Sequence, residues 1–127
     1  MTSTFFAYIF ALLTLIGVLF QFALAAGMPW GSLAMGGRYP GKFPPNMRVG
    51  AIIQGALLAF LGMIVLSRAG AAFLSLSNLS NALIWVAVAI SGISLVLNLI
   101  TQSKWERVLW APVGFLMTVS SLVVALS

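Results

Sequence analysis

The sequence predicts an all-α fold: an integral membrane four-helix bundle whose helices run up-down-up-down. Of the 127 residues, 62% are hydrophobic and only 6% are charged, whereas a soluble domain carries about 25% charged residues. The apolar residues form four long runs, and none of these runs shows the period-2 alternation that transmembrane strands require. We therefore expect a single transmembrane domain covering residues 1–127.

The first predicted helix covers residues 5–26, which contain no charged residue. With a rise of 1.5 Å per residue it would span about 33 Å, enough to cross a hydrocarbon core of about 30 Å. The alternative is a cleaved signal peptide, because residues 23–25 fit a small-residue cleavage site. The stretch before the run has no Lys or Arg, and the run exceeds the usual apolar core of a signal peptide, so we expect a retained helix.

The other predicted helices cover residues 49–67, 81–100 and 108–126, and residues 69–80 are predicted to be a connector. On the second helix, Ala51, Gly55 and Ala59 lie on one face because they are spaced by four. Small residues let another helix approach closely in lipid. Packing within the same chain is favoured over an oligomer contact, and both remain open. Pro112 falls inside the fourth helix, where it removes one backbone hydrogen bond.

A long polar loop, residues 27–48, separates the first two helices and holds four of the five prolines and three of the six bases. One interpretation is an ordered lid over the helix ends, anchored by aromatic side chains. The other is a site for an anion or a lipid headgroup, in which Arg38, Lys42 and Arg48 act with backbone amides of the loop.

The distribution of bases predicts the orientation of the bundle. Five of the six Lys and Arg residues fall in the loop 27–48 and in the connection 101–107, which lie on the same side of the bundle. Only Arg68 lies on the other side. By the positive-inside rule both loops are cytoplasmic and both termini are outside. Because the bases lie at the ends of apolar runs, we expect them to contact lipid headgroups and expect no nucleic acid partner.

The sequence also excludes several chemistries. It has no His, Cys or Asp, and Glu106 is the one acidic residue. Ser-His-Asp and Cys-His nucleophiles cannot be built, nor can a carboxylate pair or the usual metal sites. We therefore predict no enzymatic activity, no metal and no cofactor. Since Glu106 is predicted to lie in a loop, proton-coupled transport is disfavoured as well.

Three amide side chains are predicted to lie at a similar depth below the basic loops. Gln21, Gln54 and Asn98 each lie six residues from a loop boundary or base, about 9 Å along the helix axis. Uncompensated amides are costly in lipid, so we expect them to point inward, with at least two sharing a hydrogen-bonded network. Two interpretations remain open: interhelical hydrogen bonding, or a polar pocket near the cytoplasmic side.

Glu106 is predicted to connect the two cytoplasmic loops. A lone carboxylate among five bases near the membrane boundary should find a partner, and adjacent residues on a helix do not face one another. Arg48 and Arg38 are therefore the predicted partners, because a guanidinium can grip a carboxylate with two hydrogen bonds. The alternative is a solvated Glu106 that only charges the first turn of the fourth helix.

Two segments carry a resemblance to a known group of proteins: GMPWGSLAMGGRYPGKFPPNMR (27–48) and NLITQSKWERVLWAPV (98–113). The Trp-Gly, Gly-Gly and Pro-Gly pairs of the first, and Ser-x-x-Glu-Arg and Trp-Ala-Pro-Val in the second, resemble an uncharacterised family of small bacterial integral membrane proteins. The resemblance covers about a third of the chain. It implies a four-helix protein of the bacterial inner membrane and no particular activity.

Two functional hypotheses follow. The first is a non-enzymatic inner-membrane protein with a structural or accessory role, whose cytoplasmic loops bind lipid headgroups or a membrane partner, a second copy included. The alternative is a small transporter or channel component that uses the polar pocket. An open pore through the bundle would favour the transporter, and a bundle closed by apolar side chains would favour the accessory protein.

Overall fold

The computed structural model describes residues 2–127, and its main elements are four long α helices joined by one long segment, 27–44, and two shorter connections. The helices are α1 (Thr2–Ala26), α2 (Pro45–Arg68), α3 (Ser77–Ile100) and α4 (Lys104–Leu126). Short 3-10 turns cover Gly31–Leu33, Met35–Gly37 and Leu74–Leu76, and no strand occurs within residues 2–127. The predicted all-α four-helix bundle is confirmed. Each of the four helices is long and apolar enough to cross a membrane.

Helices that follow one another in the chain pack side by side. The most extensive contacts join α1 to α2 and α3 to α4, while α1 also packs on α4 and α2 on α3. These contacts close a ring in which each helix packs on the next one along the chain, as in an up-down-up-down bundle.

All four helices begin three or four residues earlier than predicted, α1 at Thr2 rather than at residue 5, and local chemistry explains two of the other starts. α2 begins at Pro45 rather than at residue 49, because proline is well suited to the first helical position, where no N–H is needed. α4 begins at Lys104 rather than at residue 108, because Ser103 caps it: its hydroxyl accepts a hydrogen bond from the Glu106 N–H at 3.2 Å. α3 begins at Ser77, so the predicted connector is shorter than expected.

Glycines let α1 and α2 approach each other closely. A Cβ added at Gly55 would lie 2.9 Å from the ring of Phe22, and one added at Gly62 would lie 2.8 Å from the Thr14 hydroxyl oxygen. Ala51 is buried, whereas Ala59 is exposed. Of the predicted small-residue face, Ala51 and Gly55 therefore pack within the chain, whereas Ala59 does not.

The end of the bundle opposite the loop 27–44 is filled by apolar side chains from all four helices. They form one cluster: Ala7, Phe10, Leu61, Val65, Ile84, Ala87, Met117, Val124 and Ala125. We call this cluster the plug. At the same end, Arg68 donates hydrogen bonds to the carbonyl oxygens of Ala125 and Ser127, at 3.2 and 3.1 Å. It thereby ties the end of α2 to the end of α4.

Candidate functional site

The segment between α1 and α2, residues 27–44, folds back on itself and is called the lid here. Gly31 N–H donates a hydrogen bond to the Gly41 carbonyl at 2.9 Å, which closes the segment into a loop. A Cβ at Gly31 would lie 1.8 Å from the Tyr39 carbonyl oxygen, so only glycine fits at this crossing. Phe43 is buried, and the Tyr39 ring meets it edge-on with the ring centroids 6.0 Å apart.

The lid is attached to the first turns of α4 by hydrogen bonds from both partners. The Ser103 hydroxyl donates to the Ser32 carbonyl at 2.6 Å, and the Trp110 indole N–H donates to the Leu33 carbonyl at 2.9 Å. In the opposite direction, the Gly36 N–H donates to a carboxylate oxygen of Glu106 at 3.4 Å.

Aromatic rings extend the same contact to α1. The Phe20 ring lies 4.8 Å from the Trp110 ring, centroid to centroid, and stacks with the Trp30 ring at 6.4 Å. Phe20 and Leu24 of α1 are buried in one apolar cluster with Ala34 and Phe43 of the lid. The lid is therefore packed on the helix ends through side chains as well as backbone.

Beneath the lid, the four helices enclose a cavity of about 340 Å³. Residues of the lid form its roof, and two members of the plug, Leu61 and Met117, line its floor. Its wall is mixed in character: apolar side chains alternate with a set of polar residues, namely Gln21, Gln54, Ser91, Ser94, Asn98 and Glu106. Ligand pockets are typically of this size and mixture.

All three amides singled out from the sequence line this one cavity, although they come from three different helices. They do not bond to each other. The amide of Asn98 donates to the Ser94 hydroxyl on its own helix at 3.4 Å, which is long for a hydrogen bond. The predicted network of amides is therefore absent from residues 2–127, because the cavity lies between the helices that carry them.

Ser91 lies deeper on the same face of α3. Its side chain is 3% exposed, and its hydroxyl oxygen has no hydrogen-bond partner within residues 2–127. A helical serine commonly bonds to a carbonyl one turn back, as Thr118 does with Gly114 at 2.7 Å. The hydroxyl of Ser91 is thus a buried polar group left without a protein partner in the cavity wall.

Glu106 does not lie in a loop, as the sequence had suggested, but in the first turn of α4. It is 7% exposed and lines the cavity. Ser103 and Glu106 have the spacing of a capping box, in which the acid normally turns back to the N–H of the capping residue. Here that N–H of Ser103 donates to the Thr101 hydroxyl at 3.3 Å, and the carboxylate meets Gly36 instead.

The predicted clamp between Glu106 and an arginine is wrong in its partner. The Arg48 guanidinium Nε donates to the Phe43 carbonyl at 2.9 Å, which links the first turn of α2 to the end of the lid. Arg38 is exposed on the lid. Within residues 2–127, no base donates a hydrogen bond to the carboxylate, whose partner is the Gly36 N–H. A contact between lid and α4 does exist at Glu106, but a backbone amide makes it.

The three bases proposed for an anion or headgroup site have different environments. Arg38 and Lys42 are exposed on the lid, whereas Arg48 is half-buried and bonded to the lid backbone. Of the three bases, Arg38 and Lys42 are therefore the ones that are exposed to an anion or a headgroup. The headgroup site stays a prediction.

The cavity is accessible from the side, between α2 and α3. Its lining residues on α1 and α4 are all buried or half-buried. Those that are exposed are Gly50 and Gln54 of α2, Ile90 and Ser94 of α3, and Met35 of the lid. We call this gap between α2 and α3 the lateral opening. In a membrane it would face lipid.

Two contributors to the site were not recognised in the sequence. Trp110 entered the sequence analysis only through the Trp-Ala-Pro-Val motif, yet it lines the same cavity as Glu106. Its spacing of four from Glu106 places both on one face of α4 and could have indicated this. The role of the Gly36 N–H depends on a left-handed backbone (φ 67°) within the lid, for which the sequence offered only a Gly-Gly pair.

Residues 2–127 contain no group of three or more His, Cys, Asp or Glu side chains that could hold a metal ion. No family model, curated protein or solved structure matches the chain. The site must therefore be interpreted from its own geometry.

Proposed function

We propose that this chain is a non-enzymatic, accessory protein of the bacterial inner membrane that binds one amphiphilic, lipid-like molecule in the cavity beneath the lid. The observation that carries the proposal is the cavity itself: its carboxylate and amide side chains lie toward the lid, among apolar side chains, and its floor at the plug is apolar. An amphiphile has the same division, so its polar end would lie under the lid and its apolar part toward the plug or out through the lateral opening.

The lateral opening supports a ligand that arrives from the bilayer. Gln54 and Ser94 flank it, and both lie within apolar helices long enough to span a membrane. Polar side chains facing hydrocarbon are costly, and a bound molecule with polar atoms would reduce that cost. Exposed Arg38 and Lys42 would meanwhile attract anionic headgroups to the outer surface of the lid.

A non-enzymatic role follows from the few reactive groups that the cavity contains. Among its lining residues the ionisable side chain is Glu106, and the remaining polar groups are amides, hydroxyls and an indole. Such groups bind and orient a molecule, and the lining offers no His, Cys, Lys or second carboxylate to act together with Glu106.

A transporter component is the second candidate. Proton-coupled transport was disfavoured because Glu106 was predicted to lie in a loop, but Glu106 lies in the cavity wall. A buried carboxylate inside a membrane bundle is typical of transport sites, and this one lines a cavity. The plug opposes it, because transport would require Phe10, Val65 and Ile84 to separate. Proteoliposome flux of a bound ligand distinguishes the two: an accessory binding protein produces none.

Native mass spectrometry of protein released from mild detergent tests the binding proposal. We expect a retained small molecule at a ratio of one to one. Ser94→Trp should remove it by filling the lateral opening, whereas Val96→Trp, on the exposed side of the same helix, should not. Loss of the molecule in both variants, or retention in both, would contradict binding in the cavity.

A further inference from the structure

Glu106 is the one charged side chain among the residues that line the cavity, and few protein groups compensate its charge. It is 7% exposed, yet its carboxylate accepts one long hydrogen bond, 3.4 Å from the Gly36 nitrogen. Backbone N–H···O bonds are usually about 2.9 Å long, so this partner compensates the carboxylate weakly. A carboxylate taken out of water is costly unless a cation or several donors meet it.

The bases of the chain do not supply that cation. Arg48, one of the two predicted partners of Glu106, donates to the Phe43 carbonyl. Arg68 is bonded at the opposite end of the bundle. Arg38, Lys42, Lys104 and Arg107 are exposed. None of the six bases lines the cavity. The interior facing the carboxylate therefore offers amides and hydroxyls but no positive charge.

We propose that the cavity binds the primary ammonium group of an amphiphile, with Glu106 as its counter-ion. The inference rests on the proposed function and adds the chemistry of the ligand. An ammonium carries three N–H donors. Besides the Glu106 carboxylate, the amide oxygens of Gln21 and Asn98 line the same cavity and can accept from it. A phosphate or carboxylate ligand would instead be repelled by Glu106.

Aromatic residues around Glu106 fit the same ligand. Trp110 lies four residues after Glu106, on the same face of α4, and lines the cavity together with Phe20. The faces of these rings attract cations, and the attraction is greater where water is excluded. The Trp110 indole N–H is occupied by the Leu33 carbonyl, which fixes the ring in the wall.

A further polar group of the cavity wall, the Ser91 hydroxyl, is free to bond to a ligand. The buried hydroxyl of Ser91 has no partner within residues 2–127, although it lines the same chamber. The hydroxyls of Ser67 and Ser120, which do not line the cavity, also have no partner within residues 2–127, and among the three only Ser91 is placed to pair with a polar atom of a bound molecule. Ser91 lies about two turns deeper than Asn98, which places this atom beyond the ammonium group.

The test compares three chain-matched amphiphiles by native mass spectrometry on the detergent-solubilised full chain: dodecylammonium, dodecanol and dodecyl phosphate. We expect the wild-type protein to bind dodecylammonium at least about tenfold more tightly than dodecanol, and dodecyl phosphate most weakly. Equal binding of the ammonium and the alcohol would overturn the inference. This comparison needs no variant, so it does not depend on whether a substitution is tolerated.

Substitutions test whether Glu106 causes the preference for dodecylammonium over dodecanol. Glu106→Gln should remove the preference, so that the variant binds dodecylammonium no more tightly than it binds dodecanol, while Glu106→Asp should keep most of the preference. Arg107→Gln is the matched control, because it changes an exposed charge in the same turn of α4. A preference that survives Glu106→Gln would show that the ammonium binds elsewhere, and the inference would fall.

The primary ammonium can belong to a lipid headgroup or to a free amine. Lipid retention by the protein in nanodiscs distinguishes these two sources. Retention of phosphatidylethanolamine over phosphatidylglycerol identifies a lipid headgroup, whereas binding of dodecylammonium without lipid retention identifies a free amine. Either result supports the inference. If ammonium and alcohol bind equally and Ser94→Trp blocks both, the binding function stands and the ammonium inference fails. If nothing binds, both fail.

Discussion

Glycine at position 31 is the residue on which the shape of the lid depends most. Its Cα lies so close to the Tyr39 carbonyl that a methyl group could not be accommodated without moving backbone atoms. The same crossing is held by the hydrogen bond from the Gly31 N–H to the Gly41 carbonyl. A substitution here must therefore open the lid.

We predict that Gly31→Ala destabilises the protein by about 1–3 kcal/mol or more, because the added methyl overlaps fixed backbone. The control is Gly92→Ala on α3, where nothing lies within 4 Å of the new Cβ, so the helix should be stabilised by about 0.5–1 kcal/mol. Thermal unfolding in detergent measures both. Equal effects of the two substitutions would show that the lid crossing is not tight.

Ser103 has two roles that a single substitution removes together. Its hydroxyl accepts from the Glu106 N–H, which caps α4, and donates to the Ser32 carbonyl of the lid. Ser103→Ala should therefore cost about 1–2 kcal/mol of stability. Ser75→Ala, at an exposed position, should change stability by less than about 0.5 kcal/mol. An unchanged melting temperature for Ser103→Ala would contradict the cap.

Helices and their connections were predictable to different degrees. The four long apolar runs identified all four helices, because length and hydropathy do not depend on tertiary contacts. The starts of α2 and α4 were missed by four residues although their signals, Pro45 and the Ser103-to-Glu106 spacing, are local. The lid could not be derived, since its form depends on backbone-to-backbone contacts such as that of Gly31 with Tyr39.

The depth of the cavity's polar residues could be predicted from the sequence, but their hydrogen-bond partners could not. Common depth indicated that Gln21, Gln54 and Asn98 would meet, and they line one cavity. They line the cavity from three different helices without bonding to one another, and this arrangement depends on tertiary packing, which no local pattern encodes. For the same reason the partner of Glu106 was predicted as an arginine and found to be a backbone amide.

The contact of Arg68 with α4 connects the ends of two helices at the plug. The guanidinium donates to two carbonyls at the C-terminal end of α4, where orphan carbonyls and the helix dipole favour a cation. Arg68→Gln should destabilise the bundle by about 1–2 kcal/mol. Lys42→Gln, an exposed position on the lid, serves as the control and should be nearly neutral.

The whole bundle is asymmetric along its long axis. One end is filled by the plug, and the other holds the cavity and the lid. Five of the six bases lie at the lid end. If the positive-inside rule applies, the cavity lies in the cytoplasmic half of the membrane and both termini lie outside.

Single introduced cysteines test this orientation without background, because the chain has no native cysteine. We predict that a cysteine replacing Ser3 reacts with a membrane-impermeant thiol reagent in intact spheroplasts, and that one replacing Lys42 reacts only after lysis. The reverse labelling pattern would place the cavity in the outer half of the membrane and would contradict the predicted orientation.

The central claim is that the cavity holds an amphiphile with its polar end at Glu106. An experimental density map of the protein purified in mild detergent tests this most directly. We predict continuous non-protein density under the lid, with its polar end within hydrogen-bonding distance of the Glu106 carboxylate and its apolar part toward Leu61 or through the lateral opening. A cavity filled only by water, or closed by contact of α2 with α3, would contradict the claim.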